Sequence, residues 1–403
     1  MLKYYRIDTK MLLRLPYFIV ILFFVFDGVR DNVSFSSQLT VLRELAILLI
    51  SFVTAYSIFS GGLKVKAYFK SYLFISFTLF LSMFISYYAT MFPVFEGLRT
   101  VSTPFSIITK QIQFFLLIVA FYKYESVTGG EIERLVLFFI YTACLYALIT
   151  PLIYFYPPPF FEDYKSWGRF GVGYPTMDAQ MFLFAFVFSA FYCNFSKAKF
   201  FLIASVLVVG TLLQVTGTGF ATIAALVLSL IIFPSKQPRS LMITLIFLAT
   251  LFVFSLYFSY ADKFENVVYL FQSKALQIFG AEESISLDIR QEQFEQLMVL
   301  AKNDFVTNLF GIGGSIYVEN QFSFFRLSSG VIGFSLFIIW MFLFGSRSFS
   351  KFQLDNGVLF FSLMTFVLSS YSLVSFYLLP LYGLLALATA LHLIKVKHYY
   401  EKN

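Results

Sequence analysis

The chain has 403 residues, of which 59% are hydrophobic, 21% aromatic and only 13% charged, with a formal charge of +7 and a mean hydropathy of +0.80. Soluble domains carry about 25% charged residues, so this chain cannot clothe itself in polar surface, and disorder, which needs low hydrophobicity and high charge, is excluded with it. The basic residues are scattered through short connecting segments, so the positive balance is no nucleic-acid signal; the composition predicts an all-α polytopic membrane protein.

A helix that crosses a bilayer needs about 20 mostly apolar residues, and by that measure about twelve spans follow one another. They cover 11–27, 39–60, 68–89, 104–122, 133–156, 177–195, 199–215, 218–234, 240–260, 323–345, 356–374 and 376–394. The first lacks a small-residue cleavage site and reads as an uncleaved anchor. Only Thr216-Gly217 separates the seventh from the eighth, which demands a tight turn. The last two come from dividing an apolar stretch too long for one crossing, near Ser375 and before Pro380.

Lysine and arginine set the expected sidedness. With the N-terminus inside, Lys3, Arg6, Lys10, Lys64, Lys66, Lys123, Arg134, Lys197, Lys236, Arg239, Arg347, Lys395 and Lys397 all fall on the cytoplasmic side. Both termini are then cytoplasmic, and the chain divides into an N-terminal bundle (1–260), a large periplasmic loop (261–322) and a C-terminal set of spans with a short tail (323–403). Within the loop, Phe264, Val267, Val268 and Phe271 form one apolar stripe at helical spacing, and Phe294, Leu297, Met298 and Ala301 form a second. Two helices lying on the bundle would roof a cavity or simply cap it.

The outer segments share isolated arginines beside glycines and aromatics. Trp167-Gly168-Arg169-Phe170-Gly171-Val172-Gly173-Tyr174-Pro175 leads into the sixth span. Arginine's planar fork suits phosphate oxygens, and Trp167 and Tyr174 suit sugar faces or a prenyl chain; Arg169 as a plain headgroup anchor is the other reading. Asp288 reads as an N-cap with Gln291 three residues on. Arg290 in that first turn opposes the helix dipole unless an anion binds there or Asp288 or Glu292 pairs with it. A Gly311-Ile312-Gly313-Gly314 segment reads as a flexible turn, and Glu319-Asn320 follows at the mouth of the tenth span. There Glu319 is either a general base or a salt-bridge partner of Arg326. Arg43 and Glu44 in the second span and Lys110 in the fourth are charges within the bilayer, and Arg43 and Lys110, alongside Arg99 and Arg169, suggest an outward-facing cationic cavity. Pairing of Arg43 with its neighbour Glu44 is disfavoured there, because adjacent helical residues point apart. The two cysteines, Cys144 and Cys193, sit in apolar runs, and no Cys/His metal pattern, Walker loop or dinucleotide motif is present.

Taken in order, these pieces resemble the repeat-unit polymerases of O-antigen and capsule synthesis, the Wzy family, and the related O-antigen ligases. The likeness rests on Arg169-Phe170-Gly171 with Pro175, on Thr216-Gly217-Thr218-Gly219, on Asp288-Ile289-Arg290, on Leu309-Phe310-Gly311-Ile312-Gly313, on Glu319-Asn320, and on Gly330-Val331-Ile332-Gly333. Many members have Ser-Arg-Gly after the Thr-Gly that opens the eighth span; here Thr218-Gly219-Phe220 stands instead. The resemblance implies a C-type glycosyltransferase-like membrane fold in the bacterial inner membrane and an undecaprenyl-pyrophosphate-linked oligosaccharide donor. It also implies transfer of the growing glycan to a new lipid-linked unit, with no metal or nucleotide cofactor. A chain-length regulator and a flippase of the same pathway are the partners it implies. Glu319, Asp288 and Arg290 are then the candidate catalytic residues. Arg169, Arg290, Arg99, Lys110 and Arg43 are candidates for the pyrophosphate, and Trp167, Tyr174, Asn320 and Arg326 for glycan or lipid. The ligases typically carry a histidine in the large outer loop, whereas His392 and His398 lie at the inner end of the last span, which favours a polymerase. A flippase, the alternative from another class, usually shows two similar halves and no such loop.

Overall fold

A computed structural model describes residues 9–61, 77–82, 104–161, 172–232, 235–259, 285–302, 304–313, 318–348 and 357–402, with a few isolated positions between them. Among the described residues the chain is helical throughout, with one isolated bridge between Val33 and Phe161. The helices are α1 (Thr9–Phe26), α2 (Ser36–Gly61), α3 (Pro104–Thr128), α4 (Ile132–Phe155), α5 (Pro175–Phe191), α6 (Lys197–Leu213), α7 (Gly217–Ile232) and α8 (Arg239–Ser259). Then come α9 (Ile285–Lys302), α10 (Phe305–Phe310), α11 (Gln321–Ser328), α12 (Gly330–Ser348), α13 (Gly357–Ser369) and α14 (Leu379–Lys402). Five of these, in α2, α4, α8, α12 and α14, are long and apolar enough to cross a bilayer, and shorter apolar helices accompany them. The protein is an α-helical membrane protein.

Burial explains why these segments are apolar on more than one side. Nearly every residue of α5 is buried, and so is most of α14, so these two helices are the axis around which the others stack. By contrast, α2 leaves Leu42, Leu45, Leu49, Phe52 and Phe59 uncovered among the described residues, as a helix facing lipid does. Aromatic rings carry much of the packing at the α11–α12 end. Phe325 stacks on Phe337 with centroids 4.1 Å apart, and Trp340 packs edge-on to Phe376 at 5.4 Å. Offset and edge-to-face rings of this kind add to the burial of their area.

Two expected spans differ in the structure. The stretch read as one crossing over 323–345 is broken into α11 and α12, because Gly330 adopts φ +65°. A side chain there would strike the Leu309 carbonyl oxygen at 2.3 Å, so only glycine permits the break. The stretch read as 356–374 ends as a helix at Ser369; a turn and a 3₁₀ segment at Ser375–Tyr377 lead into α14, so the division placed near Ser375 falls at an observed break. Most of the expected third span, 68–89, and the first loop stripe, Phe264 to Phe271, lie outside the described residues. The second stripe is present as an interface. Phe294, Leu297, Met298 and Ala301 of α9 pack with Ile312, Val318 and Leu327 into a small core separate from that of the bundle.

Candidate functional site

That small core fixes α9 against the segment leading into α11, and it brings two sequence-distant candidates together. The Nε of Arg290 donates to Oε2 of Glu319 at 2.7 Å, and its Nη2 lies 2.6 Å from the same oxygen as an ion pair. The side chains keep 23% and 31% of their exposure, so the pair sits at a water-accessible margin rather than in a dry interior. Arg290 therefore meets neither Asp288 nor Glu292, the partners its position in the sequence offers, and Glu319 does not meet Arg326. Asp288 is not an N-cap either: α9 starts at Ile285 and Asp288 lies inside its first turn, where a carboxylate favours the helix dipole.

Asn320, next in the chain, is an N-cap. Its Oδ1 accepts from the backbone N–H of Phe322 at 2.8 Å and of Ser323 at 3.2 Å. Its Nδ2 donates to the Tyr371 carbonyl at 3.1 Å, and the Gln321 N–H donates to the Ser370 carbonyl, so α11 is tied to the end of α13. Glu319 is thus held one residue before a capped, anchored helix.

At the far end of α11 stands Arg326. Its Nη2 donates to Asn308 Oδ1 at 2.6 Å, while its Nη1 is shut off from solvent with no hydrogen-bond partner among the described residues. The Gly311–Gly313 turn beside it is clamped, not flexible as its glycines suggest. The Ile312 N–H donates to the Leu327 carbonyl at 2.8 Å and the Gly313 N–H to that of Ser328 at 3.2 Å. Gly311 and Gly313, at φ +90° and +99°, spend their freedom on this fixed shape.

A second charged group lies between α1, α2, α3 and α14. Arg43, only 7% exposed, donates from Nη1 to Asp27 at 2.9 Å and from Nη2 to Glu44 at 2.7 Å. The expectation that Arg43 and Glu44 would point apart fails, because both side chains are long enough to turn back across one peptide. Gln113 continues the network, donating to Glu44 and accepting from the Tyr382 hydroxyl at 2.6 Å. Arg30 pairs with Asp27 and Asp31. Lys110 lies in the field of Arg43, Glu44, Asp27 and Arg30. Three cations thus share this region with the carboxylates of Asp27, Asp31 and Glu44.

Arg99, Arg169 and Trp167 lie outside the described residues. Tyr174 directly precedes Pro175 at the start of α5 and is 45% exposed. The sequence reading passed over Asp178 and Asp27. Asp178, 1% exposed, accepts from the Tyr146 hydroxyl at 2.8 Å and joins α5 to α4. A lone carboxylate one turn into an apolar helix was the available signal. It also passed over Val215, a buried β-branched residue at φ +47° in the turn between α6 and α7. Such a conformation is an outlier that the surrounding fold must enforce.

No protein-family model and no curated protein sequence matches this chain.

Proposed function

We propose that this protein is a membrane glycosyltransferase of the repeat-unit polymerase kind, with about twelve spans and its α9–α11 region on the periplasmic side of the inner membrane. Its substrates are undecaprenyl-pyrophosphate-linked oligosaccharides. A hydroxyl of a new lipid-linked unit attacks the anomeric carbon of the growing chain, the bond from that carbon to the phosphate oxygen breaks, and undecaprenyl pyrophosphate leaves. The observation that carries this reading is the Arg290–Glu319 pair, a carboxylate and a guanidinium brought together from 29 residues apart at a water-accessible edge of an apolar bundle. Glu319 takes the proton of the attacking hydroxyl. Arg290 holds that carboxylate in place, as a charge-assisted donor does. Arg99, Arg169 and Lys110 are the cations proposed to lie near the pyrophosphate; donors aimed at charge that grows on a leaving group lower the barrier without a metal.

The test is the surface glycan of a deletion strain run beside its extracted lipid-linked intermediates. Glycan capped at one repeat supports polymerisation. Long polymer retained on the lipid and missing from its final acceptor means a ligase, and single repeats stalled on the cytoplasmic face mean a flippase. Normal glycan defeats the proposal.

A further inference from the structure

Lipid covers the apolar side chains that a membrane helix turns outward, so such groups on a span need no protein partner. On α12, Val331, Ile338, Ile339 and Phe342 are all exposed and recur at helical spacing, as a lipid-facing stripe does. A loop is not expected to show the same. Yet the elbow that joins α9 to α10 leaves Val299 71%, Phe305 74%, Val306 58% and Phe310 44% exposed. In water these four side chains would gain by burial, and nothing among the described residues buries them.

Where the elbow lies says what covers it. Helix α10 packs on α12, and the two meet at the start of α12, where a β-carbon on Gly330 would strike the Leu309 carbonyl oxygen. Phe310 follows Leu309 and Val331 follows Gly330, so the exposed apolar residues of the elbow adjoin the stripe that α12 turns to lipid. The backbone is prepared for the same surroundings, since peptide groups that leave water must be satisfied internally. Asp304 accepts from the N–H groups of Val306 and Thr307, the Thr307 hydroxyl donates to the Ala301 carbonyl, and the Gly311 N–H donates to that of Thr307. The polar groups of the elbow thus close on one another while its apolar side chains stand outside. Lys302 and Asp304, both exposed, lie within three residues of Phe305, and charges so near the ring confine it to the headgroup boundary.

We propose that the α9–α10 elbow is a membrane anchor whose partner is the bilayer itself. Val299, Phe305, Val306 and Phe310 sit among the upper acyl chains of the leaflet that borders the start of α12, with Lys302 and Asp304 at the headgroups. The anchor is shallow, and it holds the C-terminal end of α9 against the membrane. The inference needs only that α12 spans a bilayer, and it stands or falls apart from the glycan-transfer reading.

The full-length protein, with Cys144→Ala and Cys193→Ala so that no native thiol reacts, receives one bimane-labelled cysteine at a time through Phe305→Cys, Val306→Cys or Phe310→Cys. Gln293→Cys, at an exposed position of α9 away from the elbow, is the control. Each is placed in phosphatidylcholine–phosphatidylglycerol nanodiscs whose lipids carry a spin label just below the headgroup or at the chain end, or with iodide in the buffer. The elbow labels are expected to lose most of their emission to the shallow spin label, less to the deep one and little to iodide, and Gln293→Cys to lose it chiefly to iodide. Quenching of the elbow by iodide alone puts it in water and overturns the anchor. Quenching by neither means that protein covers it, a second copy included, and overturns the bilayer as the partner. Lipid quenching as strong at Gln293→Cys overturns the elbow as a distinct anchor. If the cysteine-free chain does not fold, the wild type in nanodiscs containing a phospholipid with a photoreactive group below its headgroup decides. Crosslinks on the 305–310 peptide are expected beside those on α12, and α12 labelled without that peptide overturns the proposal.

Discussion

Arg290 and Glu319 meet through a single carboxylate oxygen, Oε2, which accepts from Nε and lies against Nη2 of the guanidinium. The contact pins α9 to the residue before α11, with the small Ile312–Leu327 core beside it. Ion pairs with this much exposure contribute only about 0–1 kcal/mol to stability. A pair so placed that contributes so little to folding is better explained by its chemistry than by its strength.

The two roles separate in a charge exchange. Arg290→Glu and Glu319→Arg alone should each cost about 1 kcal/mol or less in stability, and the double exchange should recover it, measured as the thermal midpoint in detergent. Polymer made by a deletion strain complemented with the double variant should remain absent, because the carboxylate then hangs from α9 and cannot reach the same substrate atom. Restored polymer in the exchanged variant would show that the pair matters only as a tie.

Asn320 tests the mounting of Glu319 without altering Arg290 or Glu319 themselves. Asn320→Ala removes a cap that accepts two N–H groups and the tie to Tyr371, at a cost of about 1 kcal/mol for the cap. Asn320→Asp keeps the accepting oxygen, loses the donation to Tyr371 and adds a negative charge beside Glu319. Polymer yield should fall for both at unchanged protein level, and more for Ala; a wild-type ladder from Asn320→Ala would show that Glu319 needs no such support.

Much of this arrangement was legible in the sequence, and the failures have physical causes. Most helix positions followed from the length of apolar runs, since a bilayer leaves little choice. The α9 stripe followed from its spacing, and Phe294, Leu297 and Met298 do pack as a face. Arg290 and Glu319 were each singled out, but not as partners, because nothing local encodes a contact 29 residues away. Short-range reasoning offered Asp288, Glu292 and Arg326 in their place. The break at Gly330 was hidden because the residues on both sides are apolar enough to read as one helix; the signal was a glycine whose φ only the fold reveals.

Asp27 offers a test in the bundle, away from the α9–α11 region. It is 7% exposed and bonds Arg43, itself 7% exposed. Asp27→Ala leaves that guanidinium buried with Glu44 alone and should cost about 3–5 kcal/mol, the scale for breaking a buried pair. Loss of folded protein on fluorescence-detected gel filtration is the expected result. Asp27→Leu combined with Arg43→Met should recover folded protein, because it removes both charges together. A double variant as poorly folded as Asp27→Ala would mean that Glu44, Gln113 and Tyr382 cannot close their network without Arg43.

Gly330 gives the sharpest steric test. Its φ of +65° is one that a β-carbon disfavours, and that carbon would lie 2.3 Å from the Leu309 oxygen and 2.6 Å from the Gly311 nitrogen. Neither obstacle is the end of a flexible side chain, so the backbone of the turn after α10 has to move. Gly330→Ala should cost more than the roughly 1 kcal/mol typical of glycine conformational effects. It should also loosen the bonds from Ile312 to Leu327 and from Gly313 to Ser328, which hold Arg326 in place. Hydrogen exchange at Ile312 and Gly313 reports that loosening directly. Faster exchange there, with α5 still protected, is the expected pattern; unchanged protection at both amides would mean that the turn accommodates a side chain and that the break between α11 and α12 has another cause.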